Sequence, residues 1–113
     1  MGIDTKLPKV PSLALGTAQI KMRNLASAYT SFVNGGKPMK PFYITKIVDR
    51  TGKTVAEFTP EVPEKAVMSN VTRQTMIEMM RGTVREGTAT RLRYTYKLNN
   101  DIAGKTGTTQ DNK

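Results

Sequence analysis

Between Ile20 and Gly36 apolar residues recur at the spacing of an α-helix, and this run constrains the fold more than any other feature. Residues three or four positions apart lie on the same side of a helix, so the run predicts one apolar face. Gly35 and Gly36 indicate its end, because glycine readily adopts the left-handed conformation that often follows a last turn. The predicted apolar face comprises Met22, Leu25, Ala26, Tyr29, Phe32 and Val33. We expect this amphipathic helix to pack on a core.

The stretch from Pro41 to Phe58 has a different pattern. Two β-rich runs flank the turn residues Asp49 to Gly52, which predicts a β-hairpin with a short glycine-containing loop. Such a hairpin needs no partner far away in the sequence to form its turn. We therefore expect a helix followed by a hairpin in the first half of the chain.

A second helix is predicted after Ser69, which is a suitable N-cap residue. Arg85 lies in its expected last turn and Gly87 just beyond it. One face carries Met76, Met79, Met80 and Val84. Because flexible methionines fill irregular gaps, we expect this face to belong to the core rather than to a binding surface.

The sequence contains no cysteine and no histidine. Within these residues this excludes disulfides, thiol nucleophiles, Ser-His-Asp triads and nearly all zinc sites. Any catalysis by this chain must use Lys, Ser, Thr, Tyr, Asp or Glu. We expect no metal and no cofactor.

The formal net charge of +9 predicts attraction to an anionic partner. The basic residues are scattered, and the aromatic residues, 6% of the chain, are not interleaved with them. This pattern disfavours nucleic acid as a partner, since base stacking needs aromatic platforms. A basic non-catalytic module that binds an anionic polymer or lipid remains an alternative function.

The segment IAGKTGTTQ, Ile102 to Gln110, contains Gly-Lys-Thr but is not a phosphate-binding loop. Such a loop requires a glycine at position 99, where the chain has Asn99. The threonine-rich segment instead favours a strand. From these residues alone, it is either a polar edge strand whose lysine blocks aggregation or one wall of a binding site.

Five blocks resemble, in the family's own order, the transpeptidase domain of class A high-molecular-weight penicillin-binding proteins. They are PSLALGT, LASAYTSFVNGG, ITKIVDRTGKTV, MMRGTVREGTATR and AGKTGTTQDNK. The resemblance implies an α+β fold, an incomplete fragment of the transpeptidase or β-lactamase-like fold with helices packed on an antiparallel sheet. The fragment would contain two helices, a β-hairpin and the Lys-Thr-Gly strand. Residues 1–10 would be a leading or linker segment, and residues 11–113 the family-like part.

Only one of the three family signatures is present, namely Lys105-Thr106-Gly107. No serine is followed three positions later by lysine, and no Ser-x-Asn triplet occurs. The resemblance therefore implies a partial domain that lacks both upstream motifs and the strands after Lys-Thr-Gly, and that is inactive by itself. Its parent would act outside the cytoplasm, anchored by an N-terminal segment absent from these residues. Ala89 stands where the family often has glycine, which argues against a positive φ there.

The resemblance also implies a reaction, serine acyl transfer on stem peptides ending in D-Ala-D-Ala, which β-lactams imitate. Lys105 would attract the substrate carboxylate and support proton transfer. Thr106 and Thr108, on one face of the strand, would bind that carboxylate, and Gly107 would let the substrate backbone approach. The backbone N–H of Thr108 would form half of the oxyanion hole. Apolar surface left by truncation would favour self-association.

Overall fold

The computed structural model of the protein describes Met1 and residues 3–107. The elements are a 3-10 helix Pro11–Leu15, α1 Met22–Val33, β1 Lys46–Val48, β2 Thr54–Glu57, α2 Asn70–Arg85 and α3 Arg91–Tyr94. Met1–Lys6 and Gln19–Ser69 form one compact unit, and Leu7–Ala18 with Asn70–Lys113 form another. The expected α+β class is confirmed. Within the described ranges, no helix is both long and apolar enough to cross a bilayer.

Helix α1 ends at the two predicted glycines. Gly35 and Gly36 have φ values of 58° and 85°, and the N–H of Gly36 donates to the carbonyl of Ser31 at 2.8 Å. A Cβ atom on Gly36 would lie 2.8 Å from the carbonyl oxygen of Met68, which is closer than van der Waals contact allows. The carbonyl of Gly36 in turn accepts from the N–H of Val67 at 2.8 Å. Gly36 is therefore required both for its conformation and for this close approach.

The buried face of α1 is not the predicted one. Its buried residues are Asn24, Ser27, Ala28, Ser31 and Phe32. Of the predicted face only Phe32 is buried, while Met22 and Val33 are 76% and 86% exposed. The cause is polar packing within this unit: the side chain of Asn24 donates to Asp4, and the N–H of Met39 donates to the Thr30 hydroxyl at 2.7 Å. Small polar side chains allow these segments to approach the helix, and the apolar stripe is left exposed.

The predicted hairpin is present and its turn is held by one carboxylate. Strands β1 and β2 are antiparallel, with Ile47 opposite Ala56. Oδ1 of Asp49 accepts from the N–H and hydroxyl of Thr51 at 2.8 and 2.7 Å, and from the N–H of Lys53 at 2.9 Å. These hydrogen bonds lower the pKa of Asp49, the Thr51 hydroxyl most and the Lys53 N–H next.

Helix α2 lies where the sequence predicts it, but its buried stripe is rotated from the predicted face. Val84 is 1% exposed, whereas Met76 and Met79 are 40% and 67% exposed. Ile77 and Met80 are half-buried. The expectation that all three methionines fill a core is therefore wrong. The backbone of Gly104 bonds to the carbonyl of Met80, and Met80 is half-buried whereas the other two methionines of the predicted face are exposed.

Two further expectations are corrected in this second unit. The short helix α3, Arg91–Tyr94, forms where the sequence indicated only a polar turn and a weakly patterned stretch. Residues 101–107 contain no strand, although a strand was predicted from Ile102 onwards. A strand requires a neighbouring strand for its hydrogen bonds. Here the N–H of Gly104 pairs instead with the carbonyl of Met80 in α2, at 3.2 Å.

Candidate functional site

Asp101, which begins the segment leading to the Lys-Thr-Gly motif, is bound to helix α2 by arginine side chains. Nε of Arg81 donates to Oδ1 of Asp101 at 3.1 Å, and Nη2 donates to Oδ2. Nη1 of Arg81 donates to Glu78, and Nη2 of Arg85 lies 3.9 Å from Oδ1 of Asp101. A guanidinium that binds a carboxylate at two points fixes its orientation as well as its position. Asp101 is therefore held against the C-terminal half of α2.

These contacts stabilise the charged form of Arg81. The hydrogen bond with Glu78 is the larger cause and that with Asp101 the next, and both raise the pKa of the guanidinium above its ordinary value. Since arginine is already protonated throughout the physiological pH range, this part of the anchor keeps its charge.

A second anchor lies closer to the motif. The backbone N–H of Gly104 donates to the carbonyl of Met80, which belongs to the same stretch of α2 as Arg81. Gly104 is half-buried, whereas Lys105, Thr106 and Gly107 are exposed. The segment is therefore attached to the helix up to Gly104 and presents the following three residues to solvent.

The turn that follows α2 places a second segment of the chain beside the Lys-Thr-Gly motif. The N–H groups of Glu86 and Gly87 donate to the carbonyl of Gly82 at 2.9 and 3.0 Å, and that of Ala89 donates to Thr83 at 3.0 Å. A Cβ atom on Gly87 would lie 2.9 Å from both the Cα and the carbonyl oxygen of Thr83. Only glycine fits this turn without displacement. Ala89 does not have a positive φ, which agrees with the expectation for a residue other than glycine at this position.

An open groove separates this turn from the motif. It has a volume of about 560 Å³ and is lined by Gly82, Thr83, Glu86, Gly87, Thr88, Lys105 and Thr106. Its lining supplies hydroxyl groups, one ammonium and one carboxylate. A volume of this size suits a small molecule or part of a peptide.

One hydrogen bond crosses the groove. Oγ1 of Thr88 lies 2.7 Å from Oγ1 of Thr106, and either hydroxyl can be the donor. Nζ of Lys105 donates to the backbone carbonyl of Thr106. Lys105 and Thr106 therefore both contribute polar groups to the lining of this groove.

The structure brings together two of the four site residues predicted from the sequence. Lys105 and Thr106 line the groove, while Gly107 is exposed beside them. Thr108 lies outside the described residues. Sequence reasoning missed the contributions of Thr88 and Asp101. Thr88 belongs to a block quoted for the family resemblance, but nothing in its spacing indicates contact with Thr106.

The family model described as "Penicillin binding protein transpeptidase domain" matches residues 9–113. The chain belongs to this family. The resemblance inferred from the five ordered blocks is therefore confirmed, and the family match begins slightly before the first block. Within the penicillin-binding protein transpeptidase family, Lys105-Thr106-Gly107 corresponds to the Lys-Thr-Gly signature.

Named relatives of the transpeptidase family match almost the whole chain but are much longer. Penicillin-binding protein 1A of Aquifex aeolicus is 41% identical over 111 residues, which is 98% of this chain and 14% of that protein. Penicillin-binding protein 1A of Neisseria gonorrhoeae is 38% identical over 112 residues, or 96% of this chain and 14% of that protein. Penicillin-binding protein 1F of Bacillus subtilis is 37% identical over 100 residues, or 87% of this chain and 13% of that protein. The chain thus spans about one seventh of these relatives.

Proposed function

We propose that these residues are part of a peptidoglycan D,D-transpeptidase, an enzyme that cross-links stem peptides and binds penicillin. The observation that carries the proposal is the groove in which Lys105 and Thr106 stand side by side, in a chain matched by the transpeptidase family from residue 9 to residue 113. The substrate would be a stem peptide ending in D-Ala-D-Ala, and β-lactams would act as its analogues. The reaction takes place outside the cytoplasm, where peptidoglycan lies.

The proposed reaction is acyl transfer through a serine. The serine hydroxyl attacks the carbonyl of the penultimate D-alanine, and the terminal D-alanine leaves as the amine takes up a proton. An amino group of a neighbouring stem peptide then attacks the resulting ester and releases the serine. In a β-lactam the attack opens the ring, so no leaving group departs and the ester persists.

Lys105 and Thr106 are the proposed binding groups for the terminal carboxylate. The ammonium group of Lys105 has three donors, of which one is used on the carbonyl of Thr106. The remaining donors and the hydroxyl of Thr106 suit a carboxylate, which only accepts hydrogen bonds when ionised. Lys105 is also the proposed electrostatic and proton-relay group, Gly107 the point of close backbone approach, and Thr108 the oxyanion donor through its N–H.

The serine nucleophile is not supplied by these residues in the family's Ser-x-x-Lys form. The four serines, Ser12, Ser27, Ser31 and Ser69, are followed three positions later by Leu15, Thr30, Asn34 and Thr72. We propose that the serine belongs to another part of the longer protein and that these 113 residues alone are not acylated.

Acylation kinetics of the longer protein test the binding role of Lys105. Replacing it by glutamine, Lys105→Gln, removes the charge and is expected to lower the second-order rate of β-lactam acylation by about 10- to 100-fold, the range of a charge-assisted hydrogen bond. Lys53→Gln in the hairpin turn is the matched control, because it removes the same charge from an exposed lysine. Equal rates for the two variants would contradict the proposal. Salt-dependent binding to anionic wall polymer, unaffected by Lys105→Gln, would favour the basic-module alternative.

A further inference from the structure

We propose that Thr88 is a positioning residue that orients the hydroxyl of Thr106 towards the substrate carboxylate. The inference rests on the proposed function, because it assumes that Thr106 binds this carboxylate. Thr88 is not part of the Lys-Thr-Gly signature. Its role is indirect: it acts on the hydroxyl of Thr106 and not on the substrate.

The geometry places the two hydroxyl groups in contact at the groove. Their oxygen atoms are 2.7 Å apart, at the ordinary distance for an O–H···O hydrogen bond. Both residues line the same groove as Lys105. The contact joins residues far apart in sequence, so it depends on the fold of this unit and not on local chain geometry.

Counting protons gives the direction of this hydrogen bond when a ligand is bound. Each threonine hydroxyl has one proton to donate and two lone pairs to accept with. If Thr106 donated to Thr88, it would turn only lone pairs towards a carboxylate, which cannot donate. Thr88 must therefore donate to Thr106, which leaves the Thr106 proton free for the carboxylate. When two hydrogen bonds run in the same direction, the first also polarises and strengthens the second.

The backbone around Thr88 is held before any ligand arrives. Gly87 on one side of it donates to the carbonyl of Gly82, and Ala89 on the other side donates to Thr83. The tight fit of Gly87 against Thr83 fixes the turn further. A donor held in this way loses little freedom on binding, which is the condition for effective preorganisation.

The test compares two variants of the longer protein with two forms of one β-lactam. Thr88→Val keeps the shape and removes the hydroxyl, whereas Thr88→Ser keeps the hydroxyl. With the free acid, Thr88→Val is expected to lower the second-order acylation rate by about threefold to tenfold, the size of one net hydrogen bond. Thr88→Ser is expected to stay within about twofold of the unchanged protein. With the methyl ester of the same β-lactam, Thr88→Val is expected to have a clearly smaller effect, because the neutral ester carbonyl accepts a weaker hydrogen bond from Thr106 than an ionised carboxylate does.

Each other outcome overturns the inference. An equal penalty with the acid and the ester means that Thr88 only supports the turn. If Thr88→Val lowers the acylation rate with neither the acid nor the ester, while Thr106→Val does lower it, the proposed function stands and Thr88 has no positioning role. Failure of the unchanged longer protein to acylate at all removes the proposed function and this inference with it.

A double-mutant cycle covers the case in which Thr88→Val disturbs folding. In a protein that already carries Thr106→Val, adding Thr88→Val is expected to change the acylation rate no further, since the group through which Thr88 acts is gone. A further loss in the double variant, equal to the loss in the single one, would show that Thr88 acts independently of Thr106 and would overturn the inference.

Discussion

Arg81 and Asp101 are joined by two hydrogen bonds, from Nε to Oδ1 at 3.1 Å and from Nη2 to Oδ2. Because Asp101 lies only a few residues before Gly104, this contact sets where the Lys-Thr-Gly segment leaves helix α2. The N–H of Gly104 then bonds to the carbonyl of Met80. The exposed groups of Lys105 and Thr106 are thus presented by a helix and not by a neighbouring strand.

Replacing Arg81 by lysine tests this anchor. Arg81→Lys keeps the charge but cannot bind a carboxylate at two points, so the segment after Asp101 is expected to loosen. Amide hydrogen exchange at Gly104 is expected to become severalfold faster, and helix α2 to persist. Arg91→Lys, at an exposed arginine of α3, is the control. Unchanged exchange at Gly104 in Arg81→Lys would show that Asp101 needs no two-point contact.

The two glycines at the end of α2 are expected to respond in opposite directions to alanine. A Cβ atom on Gly87 would lie 2.9 Å from backbone atoms of Thr83, whereas one on Gly82 meets nothing within 4 Å. Gly87→Ala is expected to lower the free energy of unfolding by about 1–3 kcal/mol through overpacking. Gly82→Ala is expected to raise it by about 1 kcal/mol through helix propensity.

Urea denaturation of both glycine variants provides the measurement. Equal changes in Gly87→Ala and Gly82→Ala would contradict the close approach of Gly87 to Thr83. Gly82→Ala also adds a methyl group to the lining of the groove. Because this variant is expected to be more stable, a lower acylation rate in the longer protein would come from reduced access of the β-lactam to the groove.

The hairpin turn is expected to weaken in acid. Hydrogen bonds from the Thr51 hydroxyl and the Lys53 N–H lower the pKa of Asp49 below its ordinary value of 3.8. A carboxylate with a lowered pKa in the folded state stabilises the fold fully above its unfolded pKa, and this stability is lost as the pH falls through the folded pKa. An NMR titration of the Asp49 carboxyl group should show a midpoint below 3.8.

Removing the largest cause of this shift tests its origin. Thr51→Val is expected to move the Asp49 midpoint back towards 3.8. Thr59→Val, outside the turn, should leave it unchanged. A midpoint that does not respond to Thr51→Val would mean that the hydroxyl contact does not control this carboxyl group.

The apolar stripe of α1 is expected to make the isolated chain self-associate. Met22, Leu25, Tyr29 and Val33 are all exposed on one face of this helix. Contiguous exposed apolar surface favours association. Val33→Lys is expected to shift sedimentation towards the monomer, whereas Gln74→Lys, which adds the same charge to an exposed position of α2, should not. A compact monomer at high concentration for the unchanged chain would contradict this prediction.

Local signals in the sequence located α1, the hairpin and α2, because each depends on neighbouring residues, but they did not indicate α3. Gly35 and Gly36 end α1, Asp49 and Gly52 form the hairpin turn, and Gly87 follows the end of α2. The buried faces were predicted less well. The side chain of Asn24 bonds to Asp4 and the hydroxyl of Thr30 bonds to Met39, and no helical spacing reveals these contacts.

The candidate site was likewise predicted from local signals but not from contacts between distant residues. The motif itself directed attention to Lys105 and Thr106, and both line the groove. The predicted strand did not form among residues 101–107, since the backbone of Gly104 bonds to a helix. The partners Thr88 and Arg81 were missed because their contacts connect the end of α2 to a segment far along the chain. Such contacts follow from folding and not from the spacing within a motif.

The measurement that tests the central claim most directly is intact-mass spectrometry after incubation with a β-lactam. It is run in parallel on these 113 residues and on the longer protein that contains them. We predict a covalent adduct, with the mass of the opened β-lactam, on the longer protein only. An adduct on the 113-residue chain, or none on either, would contradict a transpeptidase whose serine lies outside these residues.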